Sequence, residues 1–132
     1  MADLPAAILN RLANYLRGAG APTAITAVYL EVFNGDPQGA GSSTQNALTG
    51  SANRINVTSA LGAASAGVST NASQIAVTAS ASSNTTVTHL ALYDAVSGGN
   101  LLASKALASG TQTITAGNPF NIPASGLSVG AA

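Results

Sequence analysis

The sequence predicts a mainly β protein, an antiparallel β-sandwich or jelly roll with one N-terminal amphipathic helix. The chain has 132 residues, a length that suits one domain, so we expect a single domain over 1–132. Apolar residues recur with a helical period only over 4–17. Over 22–130 the pattern changes to two-residue alternation between turn residues, which is typical of short antiparallel strands.

The predicted helix over 4–17 carries one apolar stripe and ends at Gly18 and Gly20, with Asp3 as a candidate cap. The stripe consists of Leu4, Ile8, Leu9, Leu12, Tyr15 and Leu16. Arg11 and Arg17 lie off this stripe. Two interpretations stay open, since the stripe can pack on the chain's own sandwich or dock on a neighbouring subunit.

The predicted strands are short and separated by Gly, Asn, Asp, Ser and Pro. They lie at 25–33, 54–59, 74–79, 85–94, 101–107, 111–115, 118–123 and around 127–129. Residues 60–72 are ambiguous, and residues 38–52 read as a loop because they contain almost no core-forming side chain. Ser97-Gly98-Gly99-Asn100 predicts a hairpin turn between the strands 85–94 and 101–107.

Charge is scarce, because charged residues make up 6% of the chain and the formal net charge is +0. A surface with so few charges does little to prevent association with other molecules. We therefore expect partners to cover it. Four cations are too few for a duplex-binding surface, and no apolar stretch is long enough to cross a bilayer. We therefore expect neither nucleic acid nor membrane as a partner.

The sequence offers little for catalysis or metal binding. It has no cysteine and a single histidine, His89, which lies on the opposite strand face from Asp94 by parity. We expect His89 to bond a hydroxyl or backbone group, and Asp36 and Asp94 to form turns. The five aromatic residues read as core fillers. We accordingly expect no enzyme activity, no cofactor and no metal.

The candidate contact residues are polar or charged groups that the core does not require. Glu31 is a lone acid in the middle of a strand, where we expect it to face solvent or a partner. The predicted contact set adds the two helix cations, two glutamines of the loop 38–52, and Arg54 at the start of the strand 54–59. That set is Arg11, Arg17, Glu31, Gln38, Gln45 and Arg54.

The order of segments resembles a family of small tailed-bacteriophage virion proteins, commonly labelled tail fibre proteins. The segments that carry the resemblance are 28–33 with 36–39, 87–95 with 97–102, 116–120 and 127–129. Members often read Thr-His-x-Ala-Leu-Tyr/Phe-Asp-Ala followed by Gly-Gly-Asn-Leu-Leu, which 88–102 matches best. The chain departs from the family at Gly117-Asn118-Pro119-Phe120, where members often carry a charged residue. It is also similar to jelly-roll cement proteins that decorate capsids.

The resemblance implies a structural virion protein, assembled in the cytoplasm of a bacterial host. Our first expectation is a capsid cement or decoration protein that bridges shell subunits, with the major capsid protein as its partner and a dimer or trimer as its own state. The alternative is a tail fibre or receptor-binding module. Copies per particle distinguish the two, because hundreds of copies indicate the shell and about a dozen indicate the tail.

Overall fold

A computed structural model describes residues 4–38, 44–45, 54–77 and 84–130. It contains one helix, α1 (Ala6–Leu16), and eleven strands among those residues. The strands are β1 (Tyr29–Asn34), β2 (Thr44–Gln45), β3 (Ile55–Asn56), β4 (Val68–Thr70), β5 (Ile75–Val77), β6 (Thr85–Val87), β7 (His89–Tyr93), β8 (Leu101–Ala106), β9 (Gln112–Ile114), β10 (Phe120–Ile122) and β11 (Ser128–Gly130). The predicted fold class, mainly antiparallel β with an N-terminal helix, is confirmed.

The largest sheet has five strands and forms around β1. Its order is β2-β1-β7-β8, with β3 pairing with another part of β1. Three two-stranded sheets, β10-β5, β11-β4 and β6-β9, complete the described strands. Every pairing among the described strands is antiparallel, as the sequence predicts.

The core is one cluster to which strands of different sheets contribute. Its buried members are Leu30, Val32, Val57, Ile75, Val77, Val87, Leu92, Leu102, Ile114, Phe120, Ile122 and Leu127. The predicted inward pairs Ile75/Val77 and Phe120/Ile122 are each at most 4% exposed. The two-residue alternation therefore identified the apolar faces of these strands correctly.

The predicted strand 85–94 is interrupted at Thr88, which separates β6 from β7. The Thr88 amide donates to the carbonyl of Phe33, and its own carbonyl accepts from Leu107. Its hydroxyl also accepts from the amide of Gly35 at 2.7 Å. The chain changes sheets here, because β6 pairs with β9 whereas β7 pairs with β1 and β8.

Other boundaries also differ from the sequence prediction. The first strand begins at Tyr29 rather than residue 25, and residues 60–72 contain β4. Thr44 and Gln45 form a strand inside the predicted loop 38–52, whose residues 39–43 and 46–52 lie outside the described part, as does Asp3. Helix α1 begins after Pro5, and no side chain caps its first turn.

The turn between β7 and β8 requires glycine at position 99. Gly98 and Gly99 both have positive φ, 63° and 70°. A Cβ on Gly99 would lie 2.5 Å from Asp94 Oδ1 and 2.7 Å from Ala95 Cβ, whereas one on Gly98 would meet nothing within 4 Å. Of these two glycines, only Gly99 would suffer a steric clash in addition to backbone strain if it carried a side chain.

We expect Gly99→Ala to destabilise the fold more than Gly98→Ala does. The left-handed backbone costs each variant about 1–2 kcal/mol, and the clash with Asp94 and Ala95 adds to that cost only in Gly99→Ala. Urea denaturation of both variants checks this, with Gly98→Ala as the matched control. Equal losses of stability would show that the turn relaxes freely around residue 99.

Candidate functional site

Two charged residues of the predicted contact set meet inside the protein. Arg54 Nε lies 2.6 Å from Glu31 Oε2, and the two side chains are 5% and 0% exposed. The expectation that Glu31 faces solvent or a partner is therefore wrong. It failed because the alternation of β1 places Glu31 on the second face of the sheet, and that face is also buried.

The surroundings of Arg54 tie several segments together. Its Nη1 donates to the carbonyls of Ala95 at 3.0 Å and Gly98 at 2.6 Å. The guanidinium carbon lies 3.4 Å from the centroid of the Tyr93 ring, in cation–π geometry. Arg54 thus links β1 to the turn between β7 and β8.

The ion pair also affects its neighbours. Burial, followed by the negative charge of Glu31, raises the pKa of the Tyr93 hydroxyl, while Arg54 opposes the shift. Glu31 Oε1 is buried and accepts no hydrogen bond from the part of the chain that the structure describes. A buried pair of this kind depends on both partners being present, since either charge alone would be left desolvated.

The buried pair leaves the described surface with very few charges. Outside the core, the charged side chains of the described ranges are Arg11, Arg17, Asp36, Asp94 and Lys105. These charges lie in two regions. Arg11 and Arg17 are on the helix, where Arg11 lies close enough to Asp94 to lower the pKa of its carboxyl. Asp36 and Lys105 line a common cavity. Most of the remaining surface therefore offers uncharged groups to a partner.

Helix α1 exposes most of its apolar stripe. The helix has no buried residue, and only Ile8 of its residues packs against the core cluster. Four side chains of the stripe are among the large exposed apolar groups: Leu9 at 47%, Leu12 at 43%, Tyr15 at 53% and Leu16 at 75%. We call these four residues the helix face. The expectation that Tyr15 fills the core is wrong.

The two helix cations flank this face. Arg17 Nε donates to Asn14 Oδ1 at 2.9 Å, one turn back along the helix. Both arginines are exposed, and their role in a contact stays a prediction. The helix face is thus an apolar strip with cations at its border.

The predicted contact residues Gln38 and Gln45 lie elsewhere. Gln38 follows β1, and its Nε2 donates to Ser104 Oγ of β8 at 2.6 Å. Gln45 lies in β2, opposite Phe33. The structure thus gathers Glu31 and Arg54 in the interior, Arg11 and Arg17 at the helix, and Gln38 at the β8 side of the sheet.

The turn and histidine predictions are confirmed in detail. His89 Nδ1 lies 2.9 Å from the hydroxyl oxygen of Thr88. Asp94 accepts from the amide and the side chain of Asn100, at 2.6 and 2.7 Å, across the β7–β8 turn. Asp36 accepts from the amide of Gln38. These carboxylates hold turns closed.

Acid is expected to weaken the β7–β8 turn through Asp94. The hydrogen bonds from Asn100, side chain first, lower the pKa of the Asp94 carboxyl below its ordinary value. Such a group stabilises the folded state above the unfolded pKa, about 3.9, and loses that contribution as the pH falls through the folded pKa. Urea denaturation at pH 6 and at about pH 3 should show the loss, reduced in Asp94→Asn. An equal loss in that variant would exclude Asp94 as its source.

Sequence reasoning did not single out Asn71. Its side chain is 0% exposed. Nδ2 donates to the carbonyls of Ser73 and Pro123, and Oδ1 accepts from the amide of Leu127. Asn71 thus joins the end of β4 to the segment between β10 and β11. What marks Asn71 as important is a buried side-chain amide that both donates and accepts hydrogen bonds, and this can be recognised only in the folded structure.

Neither a metal centre nor a transmembrane helix is found in the described ranges. No group of three or more His, Cys, Asp or Glu side chains there is placed to hold a metal ion. No helix there is long and apolar enough to span a bilayer.

Comparison with known proteins identifies the family. Residues 5–130 match the family Gp80, described as podophage GP4 fiber I protein gp80. Because the match covers nearly the whole chain, the protein belongs to this family of phage fibre proteins, and the resemblance to tailed-phage virion proteins is confirmed. No curated protein matches the chain. The family description places the protein among phage structural components and assigns no chemistry to individual residues.

Proposed function

We propose that this protein is a structural subunit of a phage fibre and attaches to its neighbours through the helix face of α1. The observation that carries this proposal is the exposure of Leu9, Leu12, Tyr15 and Leu16 on one helix. Contiguous apolar surface of this kind marks an interaction site in a soluble protein. Membership of a fibre family supplies the assembly in which such a surface would be covered.

The composition of the surface supports the same proposal. With Glu31 and Arg54 paired internally, few charges oppose close approach of another chain. Arg11 and Arg17 lie at the border of the helix face, so their charged ends can stay in water when the apolar middle of the face is covered. Repeated contacts along a fibre allow each one to be weak, because linked sites raise the effective concentration of the next.

Substitutions on the helix face test this proposal. Leu12→Glu and Leu16→Glu place a charge on the exposed stripe and should leave the β-sheet circular dichroism signal unchanged, since neither residue belongs to the core. The matched control is Asn14→Glu, which adds the same charge away from the stripe. We expect both leucine variants to be lost from phage particles assembled in infected cells and the control to be retained. Retention of all three at wild-type levels would exclude the helix face as the attachment surface.

We further propose that the protein is a dimer or trimer in its assembled state. A second copy can cover an apolar helix face, because a two-fold dimer buries the same patch on both chains, and in a trimer three such faces can meet around the three-fold axis. Sedimentation of the purified wild-type chain and of Leu16→Glu tests this. We expect the oligomer to dissociate in the variant, whereas a monomeric wild-type chain at all concentrations would contradict the proposal.

Capsid decoration, with the major capsid protein as partner, is the alternative function. The nearly uncharged surface favours it, since such a surface suits burial against many coat subunits. Quantitative mass spectrometry of purified particles distinguishes the two functions by copy number. Hundreds of copies indicate the shell, and a few copies, set by the symmetry of the tail, indicate the fibre.

A further inference from the structure

The end of β1 carries the one Asn-Gly pair of the sequence, Asn34–Gly35. Asn34 is the last residue of the strand and is exposed. Gly35 follows with a φ of 122°, a conformation that glycine adopts without strain. Besides favouring a turn, an Asn-Gly pair is chemically labile, because glycine has no side chain to obstruct attack on the asparagine side chain. The attachment proposed above makes no use of this pair.

The reaction open to this pair is the spontaneous deamidation of Asn34. The backbone nitrogen of Gly35, once it has lost its proton, forms a bond to Cγ of Asn34. The bond from Cγ to Nδ2 breaks, and ammonia leaves with a proton taken from the solvent. Water then opens the five-membered succinimide ring. Cleavage between nitrogen and Cγ gives aspartate, and cleavage between nitrogen and the backbone carbonyl carbon gives isoaspartate, so water is the only co-reactant.

The fold holds the attacking nitrogen in a hydrogen bond. The Gly35 amide donates to the hydroxyl oxygen of Thr88 at 2.7 Å. Thr88 is itself fixed, because its amide donates to the carbonyl of Phe33 at 2.8 Å, on the other side of Asn34. Its hydroxyl oxygen also lies 2.9 Å from His89 Nδ1. Release of the Gly35 amide therefore costs the free energy of a hydrogen bond to a well-positioned acceptor.

The sheet restrains the other half of the same peptide group. Asn34 pairs with Thr44 of β2 in antiparallel register. Closure of the succinimide ring requires rotation about the Cα–C bond of Asn34, away from the extended backbone of a paired strand. We propose that Asn34 is a latent deamidation site, which reacts only when the end of β1 opens and the Gly35 amide leaves Thr88.

Deamidation at this position changes both the charge and the backbone of the strand end. Either product adds a negative charge two residues before Asp36, in a chain whose formal net charge is +0. Isoaspartate also inserts one extra atom into the backbone, which disturbs the pairing of residue 34 with Thr44. The modification therefore weakens the contact of β1 with β2 and accumulates with the age of the molecule. It is independent of attachment through the helix face.

Mass spectrometry of the full chain, incubated at pH 8 and then digested, tests this proposal. The exchange of an amino group for a hydroxyl raises the mass of the peptide that contains Asn34, and enzymatic methylation identifies isoaspartate. We expect the folded chain to react at least about tenfold more slowly than the chain unfolded in guanidinium chloride, because only the locally open fraction reacts. Asn34→Gln, which would need a six-membered ring, is the control. Equal rates in the two states, or no reaction at Asn34 in the unfolded chain, would overturn the proposal.

Variants of Thr88 test whether its hydroxyl is the restraint. Thr88→Val keeps the shape of the side chain and removes the acceptor. We expect deamidation of the folded variant to rise about two- to tenfold, the effect of one hydrogen bond. Thr88→Ser keeps the hydroxyl and should react at the wild-type rate. The matched control is Thr113→Val, at an exposed position on β9, which should also leave the rate unchanged.

Hydrogen exchange separates local opening from a general loss of stability. In Thr88→Val, exchange of the Gly35 amide should rise with deamidation, while exchange of the Leu92 amide in β7 should not. An unchanged deamidation rate, or an equal rise in exchange at both amides, would overturn the role of Thr88. If Thr88→Val does not fold, the wild type in dilute guanidinium chloride decides. Deamidation and Gly35 exchange should then rise by the same factor, and different factors would exclude opening at Gly35 as the route.

Discussion

Replacing Arg54 with methionine should destabilise the fold by about 3–5 kcal/mol, the usual cost of removing one partner from a buried ion pair. Arg54→Met leaves the Glu31 carboxylate desolvated, with neither oxygen hydrogen-bonded by a residue of the described ranges. It also removes the donor that holds the carbonyls of Ala95 and Gly98 at the β7–β8 turn. Urea denaturation of the purified chain measures the loss. The matched control is Arg11→Met, an exposed position where the same change should have little effect.

A double substitution tests whether the penalty comes from the unpaired charge. Glu31→Leu combined with Arg54→Met removes both charges and should recover much of the stability lost in Arg54→Met, because apolar groups of similar volume often replace buried pairs at little cost. Glu31→Gln alone keeps the shape of the side chain and should also destabilise. If Arg54→Met is as stable as Arg11→Met, the pair contributes nothing and its role in holding the turn must be abandoned.

The pairing of Glu31 with Arg54 illustrates what the sequence could and could not predict. Alternation along 25–33 correctly placed Glu31 on the opposite face from Leu30 and Val32, and it placed Arg54 at the start of a later strand. Nothing local connects the two, because they are 23 residues apart along the chain and meet through sheet pairing. A lone acid in a strand therefore reads as exposed until its partner's position is known.

The helix shows the same division between local and tertiary information. The three-to-four spacing predicted α1 to within two residues at its N-terminal end and one at its C-terminal end, because periodicity is a property of the segment alone. Which surface covers the stripe depends on the rest of the fold. Similarly, Thr85–Asp94 has continuous strand propensity, and only the bonds of Thr88 to Phe33 and Leu107 show that the chain changes sheets there.

Replacing Asn71 should have the second largest effect, about 2–4 kcal/mol in Asn71→Ala, from the lost hydrogen bonds and one buried amide left without a partner. The abandoned amide belongs to Leu127, itself 6% exposed, so water does not readily replace Oδ1 there. The carbonyls of Ser73 and Pro123 lose their donor as well, and these residues are exposed, so the amide of Leu127 dominates the cost. Asn121→Ala on β10 is the exposed control and should be close to neutral.

Asn71→Asp separates the two halves of the amide. It retains an oxygen for the amide of Leu127 but directs a second carboxylate oxygen at the carbonyls of Ser73 and Pro123, which repel it. We therefore expect Asn71→Asp at pH 7 to be at least as destabilised as Asn71→Ala, although it preserves volume and one hydrogen bond. Urea denaturation of Asn71→Ala, Asn71→Asp and the control Asn121→Ala compares their free energies of unfolding with that of the wild type. Wild-type stability in Asn71→Asp would mean that the Nδ2 donor is dispensable and that the side-chain oxygen bonded to the amide of Leu127, with the backbone hydrogen bonds, is enough to hold the junction of β4 with the β10–β11 segment.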